Sequence, residues 1–205
     1  WNAARFLLAV DPEAVRRPLP SPSDLTSEDD QWILSRLQHT TTHVTRELER
    51  FRFHEAANAI YEFVWHDVCD WYLELSKDGG LQSQGQTTAS RTVLAHVLST
   101  SLRLLHPFMP FVTEELWAHL RPAKSSVSLM HAAWPTAQQR YVNRKAEQRM
   151  AQFQTITREV REVRREFLIE GGHKPTVCVK TRSPKEAERI KQGLQRFSRL
   201  AEMEI

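Results

Sequence analysis

Apolar residues recur every three or four positions along most of this chain, the spacing that stacks side chains on one face of an α-helix. The first run, Trp1 to Val10, stops at Asp11-Pro12, because proline disfavours helix in the residue before it. Asp11 to Leu25 holds Pro12, Pro18, Pro20 and Pro22 and reads as an extended surface linker. Thr26 or Ser27 then caps a second helix, with Asp29 or Asp30 completing a partial capping box. Its stripe is Ile33, Leu37, Thr41, Val44 and Leu48, ending near Arg50. A third helix, about Phe53 to Lys77, carries Ile60, Val64, Val68, Trp71 and Leu75, with Tyr61, Trp65 and Tyr72 beside them. More than half its circumference is apolar, so it should sit centrally.

Asp78 to Thr88, with Gly79, Gly80 and Gly85, reads as a loop. A fourth helix, about Ala89 to His106, shows Val93, Leu94, Val97, Leu98, Leu102 and Leu105 and is broken by Pro107 and Pro110. A shorter helix follows from Phe111 to Leu120, with Thr113 a potential cap and Trp117 a core residue. Arg121 to Pro135 is irregular and should be packed down by Val127, Leu129 and Trp134. Gln138 to Leu168 reads as one long charged helix. The period then changes: Thr176 to Lys180 alternates as a strand, Pro184 to Phe197 reads as a helix, and Leu200 to Ile205 as a second strand. The fold class is therefore mainly α: an antiparallel helical bundle over 1–137, then 138–205, a long basic helix leading into a small α/β appendage at the C-terminus, truncated at the chain's end.

Composition narrows the function only a little. The 205 residues are 40% hydrophobic and 26% charged, with net charge +3 and pI about 9.0, which permits an acidic partner without demanding one. Two separated cysteines, Cys69 and Cys178, suit a reducing, cytoplasmic setting better than a disulfide framework. No apolar run reaches the roughly 18 residues of a membrane span, so no membrane partner is expected. The opening residues read as helix without an initiator methionine, so the chain is expected to be a fragment. No phosphate loop or nucleophile elbow is found. His54-Glu55-Ala56-Ala57-Asn58 lacks the second histidine of the zinc protease pattern, and His39, His43 and Glu47 read as a solvated helix face. No catalytic residue, metal or cofactor is assigned to the fragment.

Four segments are less ordinary: Trp1 to Phe6 (WNAARF), Ala59 to Lys77 with the phrase FVWHDVCDWYLELSK, Leu105 to Trp117 (LHPFMPFVTEELW), and Arg161 to Phe167 (REVRREF). In this order they resemble the anticodon-binding domain of class I aminoacyl-tRNA synthetases for aliphatic amino acids, and the second and fourth resemble its valyl-tRNA synthetase branch. The family's catalytic signatures, editing domain and C-terminal coiled coil are not found in the sequence. The resemblance implies a longer, monomeric enzyme that joins valine to tRNA with ATP and magnesium and hydrolyses mischarged threonine. A hydroxyl added in an apolar pocket gives only about a hundredfold discrimination, hence the editing. It implies that this region holds the anticodon stem-loop of a valine tRNA beside the catalytic domain of the same chain. The same bundle occurs in isoleucyl and leucyl enzymes, and a helical protein-interaction module without an RNA role is the alternative from another class.

Unpaired anticodon bases can be stacked on aromatic rings and read on their edges by amides and guanidinium groups. Asn2, Arg5 and Phe6 share a helix face; the resemblance gives Asn2 and Arg5 base or phosphate contacts and Phe6 a stacking role, while the plain reading makes Trp1 and Phe6 core and Asn2 a buried structural amide. The resemblance makes Trp71 a base-stacking indole flanked by Asp70 and Glu74, against a core role for the indole and a surface role for the acids. On the late helix, Arg158, Arg161 and Arg165 are set to meet RNA phosphates, unless the helix is simply charge-laced and solvated.

Overall fold

The computed structural model describes residues 1–78, 88–121, 127–169, 176–181, 183–184, 187–188, 190–191 and 193. Its helices are α1 (Asn2–Val10), α2 (Glu28–Glu49), α3 (Phe53–Glu62), a π-helical segment (Phe63–Tyr72), α4 (Leu73–Asp78), α5 (Thr88–Leu105), α6 (Pro110–Leu120) and α7 (Arg144–Glu166). The chain forms two compact units, Trp1–Ala146 and Glu147–Ile205.

In the first unit, α2 packs on α3, on the π segment and on α5, while α5 also meets α1 and α6. The short turn after α2 and the proline-marked corner after α5 let consecutive helices lie side by side. The core runs through Leu7, Ile33, Leu34, Leu37, Ile60, Phe63, Tyr72, Leu94, Leu104 and Leu120, all almost fully enclosed.

Several boundaries differ from the sequence expectation, each for a local reason. The proline-rich stretch is not simply extended: Pro12–Arg16 and Pro22–Asp24 are single 3₁₀ turns, each begun by a proline whose fixed φ suits a first turn. Ser27 is the α2 cap, its Oγ accepting from Asp30 N at 3.4 Å. The Asp30 side chain is not part of a capping box: only 3% exposed, it accepts hydrogen bonds from Tyr72 Oη at 2.6 Å and Ser90 Oγ at 2.5 Å. Burial pushes its carboxyl up to about 6, with those two hydroxyls opposing the rise. Glu47, rather than Leu48, takes the buried position near the end of α2, so the histidine and carboxylate face read as solvated has an enclosed member.

The third expected helix is broken internally. Leu73 N donates to Val68 O, a bond spanning five residues, and the buried positions Phe63 and Val68 are likewise five apart. Phe63 therefore takes the core place the α-spacing assigned to Val64. Thr113 does not cap α6: its hydroxyl donates back to Met109 O and Pro110 O, and Pro110 opens the helix. Trp117 is core, and its Nε1 donates to Val127 O at 3.1 Å. Leu129 packs down as expected, but Val127 and Trp134 stay exposed.

The late helix begins at Arg144 instead of Gln138. Asn143 caps it, with Oδ1 accepting from Ala146 N at 3.1 Å, and is itself held to α2 through Gln31 and Ser35. That tether keeps residues 138–146 with the first unit, past the 137/138 break expected from the sequence. In the second unit, Gly193 lies so close to the Phe153 ring that a Cβ there would collide with it. The expected strand at Thr176–Lys180 does not form: Thr176 makes an isolated bridge and 177–181 belong to no ladder. Of the helix expected at Pro184–Phe197, the described residues are helical; Leu200–Ile205 and the Gly79–Thr87 part of the expected loop lie outside the described residues.

Candidate nucleic-acid interface

The first unit contains an open crevice of about 640 Å³ bounded by α1, the π segment, α4, α5 and α6. Its floor is leucine from three helices, including Leu98, Leu102, Leu105 and Leu116. Its rim carries Trp1, Asn2, Phe6, Trp65, Asp70 and Glu74. An apolar floor with a few polar groups at the edge suits a flat, partly apolar ligand whose edges are polar, the description of a nucleotide base.

Four of the nine residues singled out from the sequence line this crevice: Asn2, Phe6, Asp70 and Glu74. Arg5 does not line it, but it is exposed on the same short helix as Asn2. Phe6 is half-buried, leaving part of its ring accessible. Asp70 is exposed and accepts from His66 Nδ1 at 2.8 Å, so its carboxylate is already engaged across one turn.

Trp71 is the correction. It is 9% exposed and does not line the crevice, so its ring serves packing in this structure, the core reading of the two. Within the π segment the indole offered to solvent is Trp65, 54% exposed and stacked on Tyr61 with centroids 6.0 Å apart and planes 11° from parallel. Helix spacing sets Trp71 on the apolar stripe and Trp65 beside it, and the structure agrees; the stacking role for Trp71 came from the resemblance. Trp1 and Cys69, the latter with its thiol pKa raised by burial, were also missed as lining residues.

In the second unit, Arg158, Arg161 and Arg165 are all exposed on α7. Arg158 Nε donates to Gln154 O at 3.2 Å, and Arg165 pairs loosely with Glu162 at 3.3 Å. An exposed pair of this kind contributes little and exchanges readily for another anion. Arg164, between them, is buried. Among the described residues, no three His, Cys, Asp or Glu side chains come together to hold a metal, and no helix is long and apolar enough to cross a membrane.

Residues 30–179 match the family model described as the anticodon-binding domain of tRNA ligase. The chain belongs to that family. Its relatives are valine–tRNA ligases: that of Chromobacterium violaceum is 42% identical over 188 residues, covering 88% of this chain and 20% of the relative. That of Bacillus cereus is 35% identical over the whole chain and 23% of the relative. That of Legionella pneumophila is 37% identical over 93% of the chain and 21% of the relative. The chain thus spans about a fifth of the length of the curated relatives it matches.

Proposed function

We propose that this chain is the part of a valine–tRNA ligase that grips the anticodon stem-loop of a valine tRNA. The longer protein would attach valine to that tRNA with ATP and magnesium and remove mischarged threonine. ATP and magnesium are assigned to no residue of this chain. Two observations carry the reading: the anticodon-binding family match over residues 30–179, and an open crevice formed by matched helices and by α1 before them, rimmed by Asp70 and Glu74 from the matched region and by Asn2 and Phe6 from α1. Asn2 and Arg5 supply amide and guanidinium donors for base edges or phosphate, Phe6 supplies a ring edge, and Asp70 and Glu74 accept from exocyclic amino groups. A cytoplasmic monomer is the setting this reading takes.

Valine anticodons share their second and third letters, A and C. A stem-loop with those letters should bind this chain more tightly than one with both changed, by about thirtyfold for two misread bases at roughly 1 kcal/mol each. Arg5→Ala should weaken the matched loop and shrink that ratio. Equal affinity for the two loops would remove base reading from the account.

The α7 arginines make a separate prediction. If Arg158, Arg161 and Arg165 neutralise phosphates, replacing all three by glutamine should lower affinity for matched and changed loops alike. It should also flatten the dependence of log affinity on log salt by up to about one unit per lost contact. Titration at two salt concentrations measures this, and an unaltered slope assigns the three to solvent.

A further inference from the structure

The geometry points to a second RNA contact on this chain, at the turn between α2 and α3: Phe51 and Phe53 form a stacking platform for an unpaired nucleotide of the tRNA, with Arg50 beside them. This inference rests on the tRNA-binding reading above and adds a site away from the crevice.

The turn closes α2 in a left-handed cap. Phe51 N donates to Leu48 O at 3.0 Å, and Arg52 N reaches back to Glu47 O at 2.8 Å. This closure places its middle residue at positive φ, a position normally given to glycine. Here it is Phe51, at φ 59. A bulky side chain in that conformation is strained, and this one gains little in packing, since it is 79% exposed. Phe53, 56% exposed, meets it edge to face with centroids 6.2 Å apart. Two open phenyl rings therefore stand at a corner where folding alone favours a glycine. The same closure ends α7 at Leu168, with φ 50, but there the chain runs on into residues outside the described set. Both flanks of Phe51 are described.

Polar and charged side chains, rather than further apolar ones, surround the two rings, which suits a base with polar edges better than a bare apolar partner. Arg46, Arg50 and Arg52 surround the corner, with Glu49 and Glu55 the exposed acids. Glu47 is enclosed and held by Arg46 at 2.9 Å and Arg52 at 3.6 Å, which lower its pKa, the Arg46 hydrogen bond foremost. Positive and negative groups are nearly balanced, so the contact draws on ring stacking with a guanidinium alongside and should depend only weakly on salt. From Phe53 to Val64, the nearest part of the crevice along the chain, the helix advances about 16 Å at 1.5 Å per residue. That distance is within the length of one anticodon stem-loop, so a single RNA can bridge the two sites.

The test is Phe51→Gly in the 205-residue chain, with binding of a valine tRNA transcript and of its isolated anticodon stem-loop measured beside thermal unfolding. The expected result is a higher melting midpoint, because strain is relieved, together with affinity for at least one RNA reduced about fivefold or more. Phe53→Ala should weaken binding in the same way, and Arg50→Gln by less. A purely structural Phe51 would show no loss of affinity, and that result overturns the inference. If Arg5→Ala weakens binding while Phe51→Gly does not, the crevice reading stands and only the second contact falls. If the unaltered chain binds neither RNA, both fall together.

Discussion

Phe63→Ala should destabilise the helical unit by about 3–5 kcal/mol, the cost of emptying an enclosed aromatic site that cannot collapse. For a chain of this size that is a fall in melting midpoint of roughly 6–20 °C, measurable by calorimetry or by loss of helical signal on heating. The size follows from position: Phe63 is almost fully buried at the first residue of the π segment, with Ile60 before it and Val68 after it on the same inner face. Trp65, two residues on, faces outward, so Trp65→Ala should cost only about 1 kcal/mol, most of it the stacking on Tyr61. Val64→Ala should also cost less than Phe63→Ala, because Val64 sits on the crevice wall. Were Val64→Ala the costlier change, the inner face would follow ordinary α spacing and the π segment would be refuted.

Asp30 carries the second large effect, as a dependence of stability on pH. Its carboxyl sits at about 6 in the folded chain against about 3.9 in an unfolded one, because burial disfavours the ionised form more than Tyr72 and Ser90 favour it. The folded state thus holds the proton more tightly than the unfolded state. Stability from this group is fully present below pH 4 and is lost as pH rises through 6, an amplitude on the order of 3 kcal/mol. Asp67, raised by burial despite Arg36 at 2.8 Å, acts in the same direction, whereas Asp11, lowered chiefly by its hydrogen bond from Arg17, acts oppositely at lower pH. Denaturant titrations at pH 4.5 and 7 should therefore show a decline, and Asp30→Asn should remove most of it. A variant as pH-sensitive as the parent would show that Asp30 titrates normally. Tyr72→Phe separates the hydrogen bond from the titration: it should leave the acid with one donor fewer and push its pKa higher still.

What could be read from the sequence follows from how far each signal reaches. Helix positions were legible because three-and-four spacing is local, and the ends set by Asp11-Pro12 and by Pro107 to Pro110 because proline acts on its immediate neighbours. The π segment was not, since one wider turn leaves the apolar count unchanged and alters only which residues face inward. That single difference put Phe63 on the inner face in place of Val64, whereas Trp71 lay on the apolar stripe by spacing and was offered to a base only by the resemblance. Asn2, Phe6, Asp70 and Glu74 were found through family resemblance, with helix spacing adding only that Asn2, Arg5 and Phe6 share a face. The buried acids were hidden for a different reason: charge usually marks the surface, and the partners that enclose Asp30 lie 42 and 60 positions away. The strand at Thr176–Lys180 did not follow from its alternation, because alternation supplies a face and a ladder also needs a partner, and the partner expected at Leu200–Ile205 lies outside the described residues.

The wide turn between Phe63 and Tyr72 also governs which insertions and deletions the chain can accept. Each residue of an α-helix advances about 100° around its axis. A wide turn holds one residue more than an α turn, so excising one residue from this stretch lets it rewind into ordinary helix with the register beyond it largely kept, whereas the same deletion within Phe53–Glu62 would swing everything after it by about that angle. Leu73 and Leu75, now enclosed, would rotate toward water, and Glu74 would leave the crevice rim. Length is thus held more tightly in Phe53–Glu62 than in the wide turn, which is where a lineage can drop a residue at the least cost to the faces beyond it.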